Sequence, residues 1–141
     1  MNLRTPVDPV PAATMLLLRD DPQFEVLMVK RHHQIDFASG ALVFPGGKPS
    51  AGDKVPEWID HCTGWDSFDH TQRTLRIAAI REAYEEAGIL LAENSDGTTF
   101  EGACDLESRK AVERGTQGFL DIVRDAGVRL RLDRLTQFAR W

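Results

Sequence analysis

Three carboxylates, Glu82, Glu85 and Glu86, stand within five positions of one another, behind Arg81 and ahead of Gly88. Placed on a helix at about 100° per residue, they fall within about 100° of one another. Ile80, Ala83, Tyr84 and Ala87 occupy the opposite side, so one face is apolar and the other acidic. A solvated acidic surface is the ordinary explanation for such a run, and two costs count against it here. Like charges three and four residues apart destabilise a helix by about 0.2–0.5 kcal/mol per pair. Acidic side chains near a helix C-terminus also meet the negative end of the macrodipole. A hard divalent cation, magnesium or manganese, reverses both costs. The spacing therefore predicts three carboxylates presented to a common point as metal ligands. Arg81, one turn before Glu85, is placed to pair with it and to support the site structurally.

The elements that must position this face can be read on either side. Ala13 to Arg19 and Phe24 to Val29 are apolar runs around Asp20-Asp21-Pro22, the pattern of an antiparallel hairpin. Ala41 to Phe44 is a third short run, which Pro45-Gly46-Gly47 is expected to stop, and the glycine pair permits close backbone approach to a ligand or metal. Residues 48–70 break the pattern. They read as an inserted excursion with one short helical turn near Glu57 to Cys62, and Trp58 and Trp65 favour a loop that packs against something. A helix follows from about Thr71 to Ala87, capped by Asp69 or Thr71 and closed by Gly88. Residues 94–103 are a polar turn region, and a second helix is expected from about Leu106 to Ala126, weakened by Gly115 and Gly118. Alternation at Val128, Leu130 and Leu132 predicts a strand, and Leu135 to Trp141 is expected to enter another.

Bulk properties narrow the function classes. The 141 residues suit one domain, residues 1–141, and 42% hydrophobic with 28% charged residues is ordinary for a soluble globular chain. A net charge of −5 offers no basic stripe for a nucleic acid, although a metal ion can supply local positive charge for a small phosphorylated substrate. No run approaches the roughly 20 apolar residues of a membrane span. Cys62 and Cys104 form no CxxC pair, so a reducing cytoplasm is the expected setting. His61, Cys62 and His70 match no usual zinc ligand spacing.

Arg81, Glu82, Ala83, Glu85, Glu86, Gly88 and Ile89, with Gly47 upstream, resemble the Nudix box. Its usual form is Gly, five residues, Glu, seven residues, then Arg-Glu-apolar-x-Glu-Glu-x-Gly-apolar. The resemblance covers roughly residues 12–91 and implies an α+β fold, a Nudix-type α/β/α sandwich with a mixed β-sheet. It also implies metal-dependent hydrolysis of a diphosphate bond in a nucleotide-derived substrate, a Nudix diphosphatase (pyrophosphohydrolase) activity. Glu82 and Glu86 would hold magnesium or manganese, with the carbonyl of Gly47, and Glu85 would bind a metal directly or through water. The general base varies across the family and is not placed. The sequence departs from the box in length, because Gly47 and Arg81 enclose 33 residues where thirteen are usual. The excess is assigned to residues 48–70. Counted back from Arg81, the first Glu falls on Arg73, so that carboxylate is read as absent.

Leu27-Met28-Val29-Lys30-Arg31, Gly40 and Phe44-Pro45-Gly46-Gly47 resemble the motif that precedes the box in coenzyme A diphosphatases, with His32 and Asp36 as departures. The resemblance implies coenzyme A or an acyl-CoA as substrate, bound by Arg31, Gly46, Gly47 and Lys48. Two rivals stay open. One is a Nudix hydrolase of ADP-ribose, dinucleotides or nucleotide sugars. The other is a catalytically silent nucleotide-binding regulatory domain. About 50 residues follow Ile89, fewer than the family's closing strands and helix require, so the domain is expected to be truncated at its C-terminus. An open sheet edge there would invite pairing with a second copy as a homodimer.

Overall fold

A computed structural model describes residues 8–30, 40–102 and 104–140. Among the described residues, nine short strands and three α-helices alternate with 3₁₀ turns, an α+β arrangement. The N-terminal part pairs in antiparallel couples. β1 (Ala13–Thr14) pairs with β6 (Gly46–Gly47), β2 (Leu18–Asp20) with β3 (Phe24–Val26), and β4 (Val29–Lys30) with β5 (Leu42–Val43). The expected hairpin is therefore present, with Leu18 opposite Val26 and Asp20 opposite Phe24.

The third run stops before Pro45-Gly46-Gly47 as expected, β5 ending at Val43, but the chain does not leave the pairing there. Gly46 and Gly47 are themselves the strand that meets β1. A Cβ at Gly46 would lie 2.5 Å from the Ala13 carbonyl oxygen, so glycine is what lets the two backbones close up.

Helix α1 (His70–Ala87) runs for 18 residues. The Asp69 side chain accepts from the Gln72 N–H at 2.8 Å, and Gly88, at φ 71°, closes the helix in the left-handed conformation as expected. Ile77, Ile80, Ala83 and Tyr84 are buried against Trp58, Val123, Leu130 and Leu132. Fully burying each large apolar side chain contributes about 1.5–3 kcal/mol, so this stripe is the main reason the helix is held where it is.

A mixed sheet closes the core. β7 (Cys62–Thr63) lies parallel to β9 (Arg129–Arg131), and β8 (Ala92–Glu93) lies antiparallel on its other side. Val128, Leu130 and Leu132 are buried, so the alternation read from the sequence holds. The expected helix from Leu106 to Ala126 is two helices, α2 (Leu106–Glu113) and α3 (Phe119–Asp125). Gly115 takes φ 70° between them, a conformation that no L residue adopts without strain.

Residues 48–70 pack as their tryptophans suggest and hold more turns than the one expected near Glu57 to Cys62. Three 3₁₀ turns (Ala51–Lys54, Pro56–His61, Trp65–Ser67) and β7 order the segment, and Trp58 is completely buried. Trp58 packs on Phe119 with ring centroids 5.7 Å apart, and its indole N–H donates to the Gly52 carbonyl at 2.8 Å. Trp65 lies under the Arg73 guanidinium at 4.5 Å.

No strand forms among the described residues after β9. A 3₁₀ turn (Leu132–Arg134) follows instead, held by the Arg76 guanidinium, which donates to the Leu132 and Leu135 carbonyls. Among the described residues, no helix is long and apolar enough to cross a membrane. Both cysteines are free thiols.

Candidate active site

Helix α1 lies against β1 and β6, which brings the Gly47 backbone onto the carboxylate face. The approach is close. A Cβ at Gly47 would fall 2.4 Å from Glu82 Oε1, so any side chain there displaces that carboxylate. Gly47 and Glu82, 35 positions apart in sequence, are neighbours in the fold.

Arg81 organises what surrounds them. Its Nη1 donates to Glu82 Oε1 and Glu85 Oε1, each at 2.9 Å, which includes the expected pair one turn on. Its Nη2 donates to the Lys48 carbonyl at 3.0 Å. Its other donors go to a residue the sequence reading passed over. Asp53 accepts from Nε at 3.0 and 3.2 Å and from Nη2 at 3.1 Å. Both partners are almost wholly buried. Burial alone would favour a neutral guanidine, but the bonds to Asp53 and Glu85 outweigh it and hold Arg81 firmly in its charged form.

Asp53 corrects the reading of the first box carboxylate as absent. Counted back from Arg81, that carboxylate falls on Arg73, whose Nε instead donates to the Trp65 carbonyl. Counted forward from Gly47, five residues and then an acidic one lead to Asp53. The extra residues therefore follow Asp53, later than their assigned start at residue 48. The signal in the sequence is the spacing forward from Gly47.

The remaining predicted site residues are placed as follows. Glu85 is largely buried, and its carboxyl is pushed up by burial and by the nearby charges of Glu82 and Glu113, against the lowering effect of Arg81. Glu86 is exposed on the next turn. Glu82 and Glu85 converge on Arg81, and among the described residues no three His, Cys, Asp or Glu side chains are grouped to hold a metal ion as they stand. The donor chemistry still suits magnesium or manganese, because Glu82 offers hard oxygens beside the Gly47 backbone. Lys48 is exposed, and Arg31 lies outside the described residues, as do His32 and Asp36.

The acidic helix end is also balanced from α2. Arg109 donates to the carbonyls of Tyr84 at 3.1 Å and Glu85 at 3.0 Å, placing a cation at the negative end of the helix dipole.

No family model matches the chain. It is similar to the acyl-coenzyme A diphosphatase NUDT19 of Xenopus laevis, 29% identical over 96 residues, covering 48% of this chain and 25% of that protein. The crystal structure of a Nudix hydrolase from Alicyclobacillus acidocaldarius superposes with a TM-score of 0.68 at 25% identity, over 86% of this chain and 56% of that one. The chain thus spans about a quarter and about half of the lengths of these two relatives. Shared fold and box residues together make the chain similar to Nudix hydrolases.

Proposed function

We propose that the chain hydrolyses a diphosphate bond in a nucleotide-derived substrate with the help of magnesium or manganese. The observation that carries this reading is the seating of Glu82 against Gly47, which joins the two halves of the box across the intervening residues. Glu82 and Glu86, with the Gly47 carbonyl, would hold the cation, and Glu85 would bind directly or through water. When bound, such a cation neutralises diphosphate oxygens and acidifies a water molecule.

This chain's own residues supply the positioning. Arg81 fixes Glu82 and Glu85 at one nitrogen, so their oxygens start from defined places. Gly47 leaves room for the Glu82 carboxylate where any Cβ would fill it. Lys48, exposed at the rim, is a cation for the substrate's phosphates, and Gly46 with Gly47 brings the backbone near them.

Coenzyme A or an acyl-CoA is the proposed substrate, supported by the motif from Leu27 to Gly47 and by the likeness to an acyl-coenzyme A diphosphatase. The test compares kcat/KM for coenzyme A, ADP-ribose and diadenosine polyphosphates with magnesium and with manganese. The expected result is preference for coenzyme A, with adenosine 3',5'-bisphosphate and 4'-phosphopantetheine as products. Preference for ADP-ribose would overturn the substrate, and no metal-dependent turnover of any diphosphate would overturn the hydrolase reading.

A further inference from the structure

Beside Glu85 lies a cleft of about 430 Å³ that extends away from the box residues onto the turn between α2 and α3. Its floor is Arg81 and Glu85 on α1. One wall is Ser50 and Gly52, at the start of the first 3₁₀ turn, and the other is the turn from Glu113 to Gly118 that separates α2 from α3. The volume falls within the range of about 300–1,000 Å³ typical of small-molecule sites.

We propose that this cleft is the substrate subsite next to the scissile diphosphate, with Arg114 and Gln117 as the residues that grip a phosphate-bearing portion of the ligand. This rests on the hydrolase reading above for its link to catalysis.

The walls are built to stay open and in register. Asp53 accepts from the Ser50 N–H at 2.7 Å, which fixes the first wall to the ion pair with Arg81. The Thr116 and Gln117 N–H groups both donate to the Ala111 carbonyl, at 2.9 and 3.2 Å, which folds the second wall back on α2. Gly115, at φ 70°, has nothing within 4 Å of where a Cβ would stand, so the turn leaves free space at its tip.

The available chemistry selects an anion. Arg81 is on the floor, but its donors are taken by Asp53, Glu82, Glu85 and the Lys48 carbonyl. Arg114 is exposed and, among the described residues, its side chain forms no ion pair. Its planar fork of donors matches two oxygens of one phosphate. Glu85 and Glu113 also line the cleft, so with Arg81 already paired the cation left for an anion is Arg114. Gln117 is half-buried and offers both a donor and an acceptor to a sugar hydroxyl or base edge.

The experiment uses the whole 141-residue chain with coenzyme A and ADP-ribose as probes. Arg114→Ala should raise KM roughly tenfold, the loss of one charge-assisted hydrogen bond, with kcat within about twofold. Gln117→Leu should raise KM by a smaller factor, and Arg114→Lys should recover part of the loss. Arg124→Ala on α3 removes the same charge away from the cleft and should leave both constants unchanged. Amide chemical shifts give a readout independent of turnover, with movement at residues 50–52 and 113–118 on adding either probe. Turnover by the parent with unchanged KM in Arg114→Ala and shifts elsewhere would overturn the subsite and leave the hydrolase reading intact. Shifts at these residues without turnover would support the binding site and count against hydrolysis. A chain that shows neither turnover nor shifts would overturn both.

Discussion

Asp53 tests whether the site is held together from the inside. Its carboxylate is 2% exposed, accepts from Arg81 at 3.0–3.2 Å and caps the Ser50 N–H. Removing one partner of a buried ion pair costs about 3–5 kcal/mol, because the remaining charge is left desolvated. Arg81 would keep Glu82, Glu85 and the Lys48 carbonyl. That places Asp53→Ala at the low end, about 3 kcal/mol. At roughly 3 °C per kcal/mol for a chain of this length, Tm should fall by about 10 °C. Asp53→Asn keeps the volume and one acceptor and should lose about half as much. Thermal unfolding by circular dichroism reads both. Adding Arg81→Met to Asp53→Ala removes the stranded cation, so the double variant should lose less than the sum of the single losses. A single Asp53→Ala that melts within about 2 °C of the parent, or strict additivity in the double variant, would refute the reasoning.

Gly47→Ala puts a methyl group where Glu82 Oε1 now lies, and should cut magnesium-dependent hydrolysis at least about tenfold while lowering Tm less than Asp53→Ala does. Steady-state assays beside melting curves check that contrast. The Cys62 thiol is buried and pushed up to about 12 by desolvation, so at pH 8 it should resist iodoacetamide in the folded chain and react once the chain is unfolded in urea. Mass spectrometry of the alkylated peptide decides this. Asp133 is held well below the usual carboxylate range by the Arg131 guanidinium, with help from the Thr63 hydroxyl and against some desolvation. Its folded pKa lies below its unfolded one, so its stabilisation is fully present above about pH 4 and is lost as pH falls towards the folded value. Asp133→Asn should therefore flatten the acid limb of a stability-against-pH curve.

The chemistry-bearing helix was the most legible part of this sequence, for a physical reason. Asp69, the stripe from Ile80 to Ala87 and Gly88 are local signals within one element, and each acts on its own few residues. The β2–β3 hairpin was legible in the same way. The misses were failures of local reading where tertiary contacts decide. Gly46 and Gly47 look like a stop signal, yet pairing with Ala13 and Thr14 makes them a strand. The helix expected from Leu106 to Ala126 breaks where Gly115 takes a positive φ, between α2 and α3. Leu135 looks like the start of a strand, but Arg76 draws its carbonyl into a turn. Helix geometry alone puts three carboxylates on one face, but it contains no information about Arg81 bonding Glu82 and Glu85 at one nitrogen.

The interruption of the box shows why such an insertion can be tolerated. In sequence, 27 residues separate Asp53 from Arg81, yet in space the two share an ion pair at 3.0 Å. The chain leaves the site after its first acidic residue has docked and returns through the helix carrying the other three, so nothing between them need touch the chemistry. That freedom is limited by packing. The inserted segment contributes Trp58 to the core beside Phe119, and β7 as the parallel neighbour of β9. Trp58 also ties back to the Gly52 carbonyl, next to Asp53. Phe119 in turn contacts Tyr84, one residue before Glu85. The extra residues are thus anchored to the same core that orients the carboxylate helix, so packing ties them to its geometry without placing them in the cleft beside Glu85.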